Sequence, residues 1–241
     1  MASVLITGAN RGIGFGLVRE LLKEKAVGRI FATVRDPDGA KELKAIADDR
    51  VVIIKMVADD DESIRNAAAE VASMVGDAGL DFLVNNAGIC KFVNVKEPFD
   101  RQILFDQFNV NVFGPIFIVS QFYHLLKKAA AKKGKAQIVN MSSITGSAAS
   151  CVGSYMGYQI AGYCASKSAL NRYSVYGSKD FAADSIRVVA VHPGWVQTDM
   201  GTEIAPMTLE ESTIEIAKLM LRLDAEHNGS YLTHDGQPLP F

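Results

Sequence analysis

Two patterns of apolar residues alternate along the chain. Short runs rich in β-branched residues predict strands, and segments with apolar residues every three or four positions predict helices with one buried face. Strands are predicted at residues 4–7, 29–34, 51–57, 81–84, 137–141 and 186–191, with a weaker one at 230–232. Helical patterns cover residues 12–25, 62–75 and 209–221. Thr208 and Glu211 predict a capping box in front of the last helix.

This regular alternation predicts the fold class. A strand followed by a helix and a parallel strand forms a right-handed crossover, so a series of such units forms a parallel sheet covered by helices on both faces. We therefore predict a doubly wound α/β fold. The 241 residues contain no break in composition, and we expect them to form one domain. Ligands of such sheets bind beyond the carboxyl ends of the strands.

Composition narrows the class of partner. With 25 basic and 27 acidic residues the net charge is -2, which lacks the basic excess typical of proteins that bind nucleic acid or anionic membranes. Polar residues interrupt the most apolar stretch, residues 108–126, and we predict a buried helix there rather than a membrane span. The widely spaced Cys90, Cys151 and Cys164 form no C-x-x-C pair, so a reducing, cytoplasmic location is expected.

A glycine-rich turn joins the first predicted strand to the first helix. Residues 7–14 read T-G-A-N-R-G-I-G. Glycine permits a tight turn and close backbone approach, and the N–H groups at the start of a helix attract a pyrophosphate. This context favours nucleotide binding, although glycines after a strand often form only a turn.

Further motifs follow later strands in a consistent order. They are N-N-A-G at residues 85–88, Asn111 in a helical segment, Ser143 after the fifth strand, Y-x-x-x-K from Tyr163 to Lys167, and Pro193-Gly194 after the sixth strand. Together with T-G-x-x-x-G-x-G, this series resembles the short-chain dehydrogenase/reductase family over nearly the whole chain. Within that family it is most similar to the sniffer-like or C-factor-like carbonyl reductases.

The resemblance implies a fold, a cofactor and site residues. The fold would be one Rossmann-type NADP-binding domain over residues 1–241, with about seven strands in the order 3-2-1-4-5-6-7 and a substrate site formed by the C-terminal half. The implied catalytic residues are Asn111, Ser143, Tyr163 and Lys167. The implied cofactor-binding residues are Gly8, Asn10, Arg11, Gly12, Ile13, Gly14, Arg35, Val57, Asn85, Ala87, Gly88, Tyr163, Lys167, Pro193, Gly194, Val196 and Thr198.

The chemistry of these residue types agrees with the implied roles. Tyr163 and Lys167 are one helical turn apart and can reach the same site. A tyrosine normally titrates near ~10, and a nearby cation stabilises its phenolate. By resemblance, Tyr163 donates a proton to a carbonyl oxygen and Lys167 binds the nicotinamide ribose. Tyr155 and Tyr158 have no lysine four residues later, and we interpret them as lining or packing residues.

Two of the implied catalytic positions have alternatives. By resemblance Ser143 polarises the substrate carbonyl, but its neighbour Ser142 competes for that role. The resemblance likewise assigns Asn111 a water that relays protons, whereas an asparagine in a helix often satisfies buried backbone instead. The four histidines show no ligand spacing, and we predict no metal site.

The second predicted strand bears on the choice between NAD and NADP. An NAD enzyme usually has a carboxylate at its end, and here Val34 occupies that position. Arg35 and Arg11 would supply cations for the 2′-phosphate of NADP(H), the cofactor that we predict. A slip of one residue would instead bring Asp36 into the acid's place. At the predicted adenine site the family's usual aspartate is replaced by Val57, and Asp59 is a candidate substitute.

We therefore predict an NADPH-dependent carbonyl reductase that transfers a hydride to an aldehyde, ketone or quinone. The alternative is a non-catalytic NADP-binding regulatory or signalling protein on the same fold. Two loops differ in length from those of many relatives: residues 144–162 are long and residues 199–208 short, which suggests an open substrate site. The resemblance also implies a homodimer that pairs through helices at about residues 112–128 and 162–181.

Overall fold

The computed structural model describes residues 1–150 and 159–241. The strands are β1 Ala2–Ile6, β2 Val27–Val34, β3 Val51–Lys55, β4 Phe82–Asn85, β5 Ala136–Met141, β6 Ile186–His192 and β7 Tyr231–Thr233. Among the described residues the α-helices are α1 Gly12–Leu22, α2 Lys41–Ala45, α3 Asp61–Val75, α4 Gln102–Phe108, α5 Gly114–Lys133, α6 Ala161–Asp180 and α7 Leu209–Arg222.

All the strand pairs are parallel and belong to one sheet. The 7-stranded sheet has the order β3-β2-β1-β4-β5-β6-β7, which confirms the predicted topology. The direction of winding reverses between β1 and β4. The loops after these two strands therefore diverge at the carboxyl edge and leave a crevice there.

Helices cover both faces of the sheet, as predicted. On one face α1 and α7 bury Leu17, Leu21 and Ile216 completely. On the other face α3 and α5 bury Ile64 and Phe122 against the opposite side of the same strands. Each such side chain contributes about 1.5–3 kcal/mol by leaving water. This two-sided burial makes the sheet a rigid support for the loops at its carboxyl edge.

Local hydrogen bonds decide where several elements begin and end. The predicted capping box is confirmed, since the Thr208 hydroxyl accepts from the Glu211 amide over 3.2 Å and the Glu211 carboxylate accepts from the Thr208 amide over 2.9 Å. Strand β3 ends at Lys55 rather than at residue 57, because the Val57 amide donates to the Ser63 hydroxyl at the start of α3, over 2.9 Å.

The long helical stretch through α4 and α5 has a break in its regular geometry. Residues Asn109–Phe113 form a π-helical segment between the two helices. The whole stretch Gln102–Lys133 is the one part of the described chain long and apolar enough to cross a membrane by length and composition. Its inner residues Phe122, Leu125 and Leu126 are buried under the sheet, as the polar interruptions in its sequence led us to expect.

Candidate active site

A large cleft opens at the carboxyl edge of the sheet, where the winding reverses. Its volume is ≈ 890 Å³. The loops that line it follow β1, β2, β3, β4, β5 and β6, together with the first two turns of α6. This is the location predicted for a ligand of a doubly wound sheet, and the volume is in the range of cofactor and substrate pockets.

The glycine-rich turn forms one wall of the cleft. Gly8 and Gly12 have φ of +64° and +53°, values that L side chains rarely adopt. A Cβ on Gly14 would lie 2.4 Å from the Gly8 carbonyl oxygen, so glycine is also required there. Helix α1 begins at Gly12, and the Arg11 side chain makes no capping bond to its first turn. The N–H groups of that turn can therefore bind a pyrophosphate.

Asn86 connects the glycine-rich turn to the loop after β4. Its side-chain amide donates to the carbonyl oxygens of Thr7, over 2.8 Å, and Gly8, over 3.2 Å. Its backbone amide donates to the Thr7 hydroxyl over 3.0 Å. Two loops that belong to different strands are thus held as one wall.

Most of the predicted cofactor-binding residues line this cleft. Those that do are Gly8, Asn10, Arg11, Gly12, Ile13, Arg35, Ala87, Gly88, Tyr163, Lys167, Pro193, Gly194, Val196 and Thr198. Gly14, Val57 and Asn85 do not line it. The Asn85 amide donates instead to Asn140 over 2.8 Å, inside the sheet, and Asn86 lines the cleft in its place. At the predicted adenine site Ala58 and Asp59 are exposed to the cleft.

The loop after β2 bears on the cofactor question. Val34 ends the strand inside the core, and Arg35 lines the cleft. The Asp36 carboxylate accepts from the Asp38 amide over 3.0 Å and so caps its own turn. Arg11 forms an ion pair of 2.6 Å with Asp199, on the opposite wall of the cleft. Arg35 is therefore available to bind a phosphate at this edge of the cleft. The Arg11 guanidinium could bind the same phosphate once it separates from Asp199.

The two adjacent serines after β5 point in different directions. The Ser142 hydroxyl is buried and donates to the Asn171 amide oxygen over 2.5 Å. The Ser143 hydroxyl faces the cleft, accepts from the Thr145 hydroxyl over 3.0 Å and is hydrogen-bonded to the Tyr163 side chain. Ser142 thus has a structural contact, and Ser143 is the serine that can reach a substrate.

Tyr163 and Lys167 stand one turn apart on α6, as the sequence predicted. The Lys167 ammonium donates to the Met141 carbonyl oxygen over 2.8 Å and lies 5.6 Å from the centroid of the Tyr163 ring. Burial lowers the pKa of Lys167 to about 8, and Cys90 opposes that change slightly. Burial of the hydroxyl raises the pKa of Tyr163 above its usual range, and its hydrogen bond with Ser143 acts in the opposite direction.

Asn111 lies in the π-helical segment, fully buried beside the loop after β4. Its amide donates to the Ile89 carbonyl oxygen over 2.8 Å and to the Ser166 hydroxyl over 3.0 Å, and its oxygen accepts from the Ile89 amide over 2.9 Å. Both amide hydrogens are therefore in use. The side chain thus supports the loop that carries Cys90. The role of Asn111 in holding a water that relays protons stays a prediction.

Several residues at the site had no sequence signal of their own. Phe92, Met200 and Ile204 line the mouth of the cleft and expose 67%, 49% and 74% of their surface. Tyr155 and Tyr158, which the sequence indicated as lining or packing residues, lie outside the described residues. Within the described residues no group of three or more histidine, cysteine or acidic side chains could hold a metal ion.

The comparisons with known proteins agree with this site. Residues 2–208 match the family model of the short chain dehydrogenases. The Sniffer carbonyl reductase of D. melanogaster is 36% identical with a TM-score of 0.94, and the alignment covers 100% of both chains. An NADPH-bound carbonyl reductase from chicken fatty liver is 34% identical with a TM-score of 0.94, over 100% of this chain and 99% of that one.

A curated relative leads to the same family. An uncharacterised oxidoreductase of Schizosaccharomyces pombe is 31% identical, and the alignment covers 98% of this chain and 96% of the relative. The chain therefore belongs to the short-chain dehydrogenase/reductase family and is an oxidoreductase. The predicted similarity to sniffer-like carbonyl reductases is confirmed.

Proposed function

We propose that the protein is an NADPH-dependent carbonyl reductase that acts on aldehydes, ketones or quinones. The observation that carries this proposal is the cluster at the bottom of the cleft, where the hydroxyls of Ser143 and Tyr163 are hydrogen-bonded beside the Lys167 ammonium. The NADPH-bound carbonyl reductase from chicken fatty liver, at a TM-score of 0.94, supports both the cofactor and the reaction.

The residues of the cleft fit a nicotinamide dinucleotide. Gly8 and Gly12 allow the backbone to approach a pyrophosphate, and the open first turn of α1 supplies N–H donors. Arg35 and Asp59 both line the cleft. Arg35 would bind the 2′-phosphate of the adenosine ribose, and Asp59 would bind the adenine. When bound, reduced nicotinamide supplies the hydride.

The chain's own residues supply alignment and the proton. Ser143 donates a hydrogen bond to the substrate carbonyl oxygen and polarises it. Because burial raises the pKa of Tyr163, its hydroxyl keeps the proton at neutral pH and donates it to the same oxygen. Lys167, with a pKa of about 8, is mostly protonated at pH 7 and stabilises the phenolate that remains. Its ammonium would also bind the nicotinamide ribose.

The mouth of the cleft favours apolar substrates. Phe92 follows β4, and Met200 and Ile204 belong to the short loop before α7. Large apolar side chains that remain exposed around a pocket usually mark a binding surface. We therefore expect aromatic or aliphatic carbonyl compounds to be better substrates than charged ones.

The proposed function is tested by NADPH oxidation with a panel of aldehydes, ketones and quinones. The decrease in nicotinamide absorbance measures the rate. Turnover of apolar members of the panel is the expected result, and Ser143→Ala is expected to lose most of it. If the protein binds NADPH and turns over no member of the panel, the alternative of an NADP-binding regulatory protein replaces this proposal.

A prediction about cofactor choice concerns Arg35. Arg35→Ala is expected to weaken NADPH binding about tenfold or more, because a charge-assisted contact with the phosphate is worth about 1.5–3 kcal/mol. NADH affinity should stay nearly unchanged, since NADH lacks that phosphate. The measurement is the dissociation constant of each cofactor at fixed ionic strength, because salt screens phosphate contacts.

Two further variants complete this test. Arg11 can take over part of the contact once it leaves Asp199, so the double variant Arg11→Ala/Arg35→Ala should show the larger loss. Arg29→Ala is the matched control, because it removes an exposed arginine of β2, the strand that precedes Arg35, at a position outside the cleft. Equal losses of NADPH and NADH affinity in the double variant would show that these arginines do not contact the 2′-phosphate.

The homodimer expected from the family resemblance stays a prediction. Phe113, at the junction with α5, Ile116 on α5 and Tyr176 on α6 expose 53%, 37% and 59% of their surface. Exposed apolar residues on these two helices support pairing through them. The cytoplasmic location likewise stays a prediction.

A further inference from the structure

Tyr231 of β7 reaches the backbone of the proposed catalytic serine. It exposes 1% of its surface, and its hydroxyl donates to the Ser143 carbonyl oxygen over 2.5 Å. The same oxygen accepts from the Gly146 amide over 2.8 Å. Tyr231 is separated from Ser143 by 88 residues and lies beyond residues 2–208, the part that matches the family model. The carbonyl of Ser143 is thus held from two sides.

The short turn that carries Ser143 is confined on its other side by α6. Residues Ile144–Gly146 form one 3₁₀ turn. A Cβ on Gly146 would lie 2.8 Å from the Lys167 carbonyl carbon, and the Gly146 oxygen accepts from the Ser168 hydroxyl over 2.9 Å. The turn therefore has little freedom to move toward α6. The Tyr231 hydroxyl adds a further contact to this turn through the Ser143 carbonyl oxygen.

Tyr231 is itself held rigidly. Its backbone pairs with Ala190 in the parallel ladder between β6 and β7. Its carbonyl oxygen accepts from the Leu239 amide over 2.8 Å, and its ring centroid lies 5.6 Å from that of Phe241. The segment after β7 folds back on the strand through these contacts. A hydroxyl carried by so constrained a ring can fix the position of the group that it binds.

We propose that Tyr231 is a positioning residue for the reaction. Its hydrogen bond fixes the Ser143 backbone, and through it the direction of the Ser143 hydroxyl toward Tyr163 and the substrate carbonyl oxygen. This inference rests on the proposed catalytic role of Ser143. It extends the functional site to β7 and to the segment that ends at Phe241.

The test is Tyr231→Phe, which removes one hydroxyl and keeps the buried ring. We expect kcat for carbonyl reduction to fall about tenfold, since small displacements of an aligned group cost rates of this order. The KM of the carbonyl substrate and the NADPH dissociation constant should stay within about twofold, because Tyr231 does not line the cleft.

A double-mutant cycle separates this role from a general structural one. In a Ser143→Ala background Tyr231→Phe should lower kcat no further, because the group that it positions is absent. An equal loss in both backgrounds, or full activity of Tyr231→Phe alone, would overturn the inference. Substantial turnover by Ser143→Ala itself would instead contradict the proposed function on which the inference rests.

Two more variants complete the experiment. Tyr123→Phe is the control. It removes the α5 tyrosine hydroxyl that donates to Asp184, outside the cleft, and should leave kcat unchanged. Phe241→Ala loosens the support of Tyr231 at a residue that is 46% exposed, and so keeps the test available if Tyr231→Phe folds poorly. It should give a smaller loss of kcat that likewise vanishes in the Ser143→Ala background. A loss that persists in that background contradicts the proposal.

Discussion

Tyr163→Phe is expected to lower kcat for carbonyl reduction by a factor of about 10²–10⁴, the usual contribution of a positioned general acid. The substitution removes the hydroxyl that is hydrogen-bonded to Ser143 and keeps the ring beside Lys167. Because burial raises the pKa of Tyr163, this phenol carries its proton at neutral pH, the form that a carbonyl reduction consumes. Phenylalanine has no proton to give.

Binding and chemistry are measured separately for this variant. NADPH affinity from nicotinamide fluorescence should change less than about twofold, whereas the rate of hydride transfer in single-turnover experiments should fall with kcat. Tyr173→Phe is the matched control, because Tyr173 is a half-buried tyrosine of the same helix that does not line the cleft. Near-normal turnover by Tyr163→Phe would refute the proposed mechanism.

The sequence predicted those parts of the site in which each contact is local or lies at a strand end. Gly8 and Gly12 stand in one turn, and Tyr163 and Lys167 on one helix, so their spacing alone brings them together. The parallel sheet then carries these motifs to the same edge. Topology and motif order were therefore sufficient to locate the cleft.

What the sequence could not predict depends on which way a side chain points at a strand end. Asn85 and Asn86 are chemically identical neighbours, yet one binds Asn140 inside the sheet and the other lines the cleft. Successive residues of a strand face opposite sides, so a shift of one position exchanges their roles. The same ambiguity affects Val57 and Ala58 after β3. Val57 is the residue that the sequence predicted at the adenine site, but Ala58 is the one that lines the cleft.

Contacts between distant residues are the other part that sequence reasoning missed. Arg11 and Asp199 are 188 residues apart, and their ion pair is a consequence of two loops that meet across the cleft. Tyr231 likewise meets Ser143 only because β7 lies beside β6, which lies beside β5. No local pattern marks either pair. The weak strand predicted at 230–232 was the only sign that this segment belongs to the sheet.

Lys167→Met is expected to stabilise the cofactor-free protein at pH 7 while it removes most of the activity. Burial lowers the pKa of Lys167 from 10.5 to about 8, and the cost of keeping this cation charged in the fold is on the order of 3 kcal/mol. The variant also loses the hydrogen bond to the Met141 carbonyl oxygen, which lowers its stability by about 1 kcal/mol. The net gain in unfolding free energy should be about 2 kcal/mol.

The stability advantage of Lys167→Met over the wild type should decrease as the pH rises. Below pH 8 both folded and unfolded wild-type chains carry the proton, and the full cost of the buried charge is present. Between pH 8 and 10.5 the folded protein releases the proton before the unfolded chain does, so wild-type stability rises with pH through this window. Above it both states are neutral, and the advantage of the variant disappears.

Urea unfolding of the cofactor-free proteins at pH 7 and pH 10 measures this difference, with NADPH affinity and kcat recorded in parallel. Methionine keeps the length of the lysine stem but supplies no charge, so the variant should bind NADPH at least about tenfold more weakly, since a hydrogen bond from a charged group is worth about 1.5–3 kcal/mol. Lys179→Met, at the exposed far end of α6, is the control and should change neither stability nor activity.

A variant no more stable than wild type at pH 7, or one whose advantage persists unchanged at pH 10, would show that the buried ammonium imposes no such cost. A stabilised variant that remained fully active would show instead that the cation is unnecessary for the reaction. The expected combination, a more stable but inactive protein, would mean that the fold tolerates the Lys167 charge because the reaction needs it.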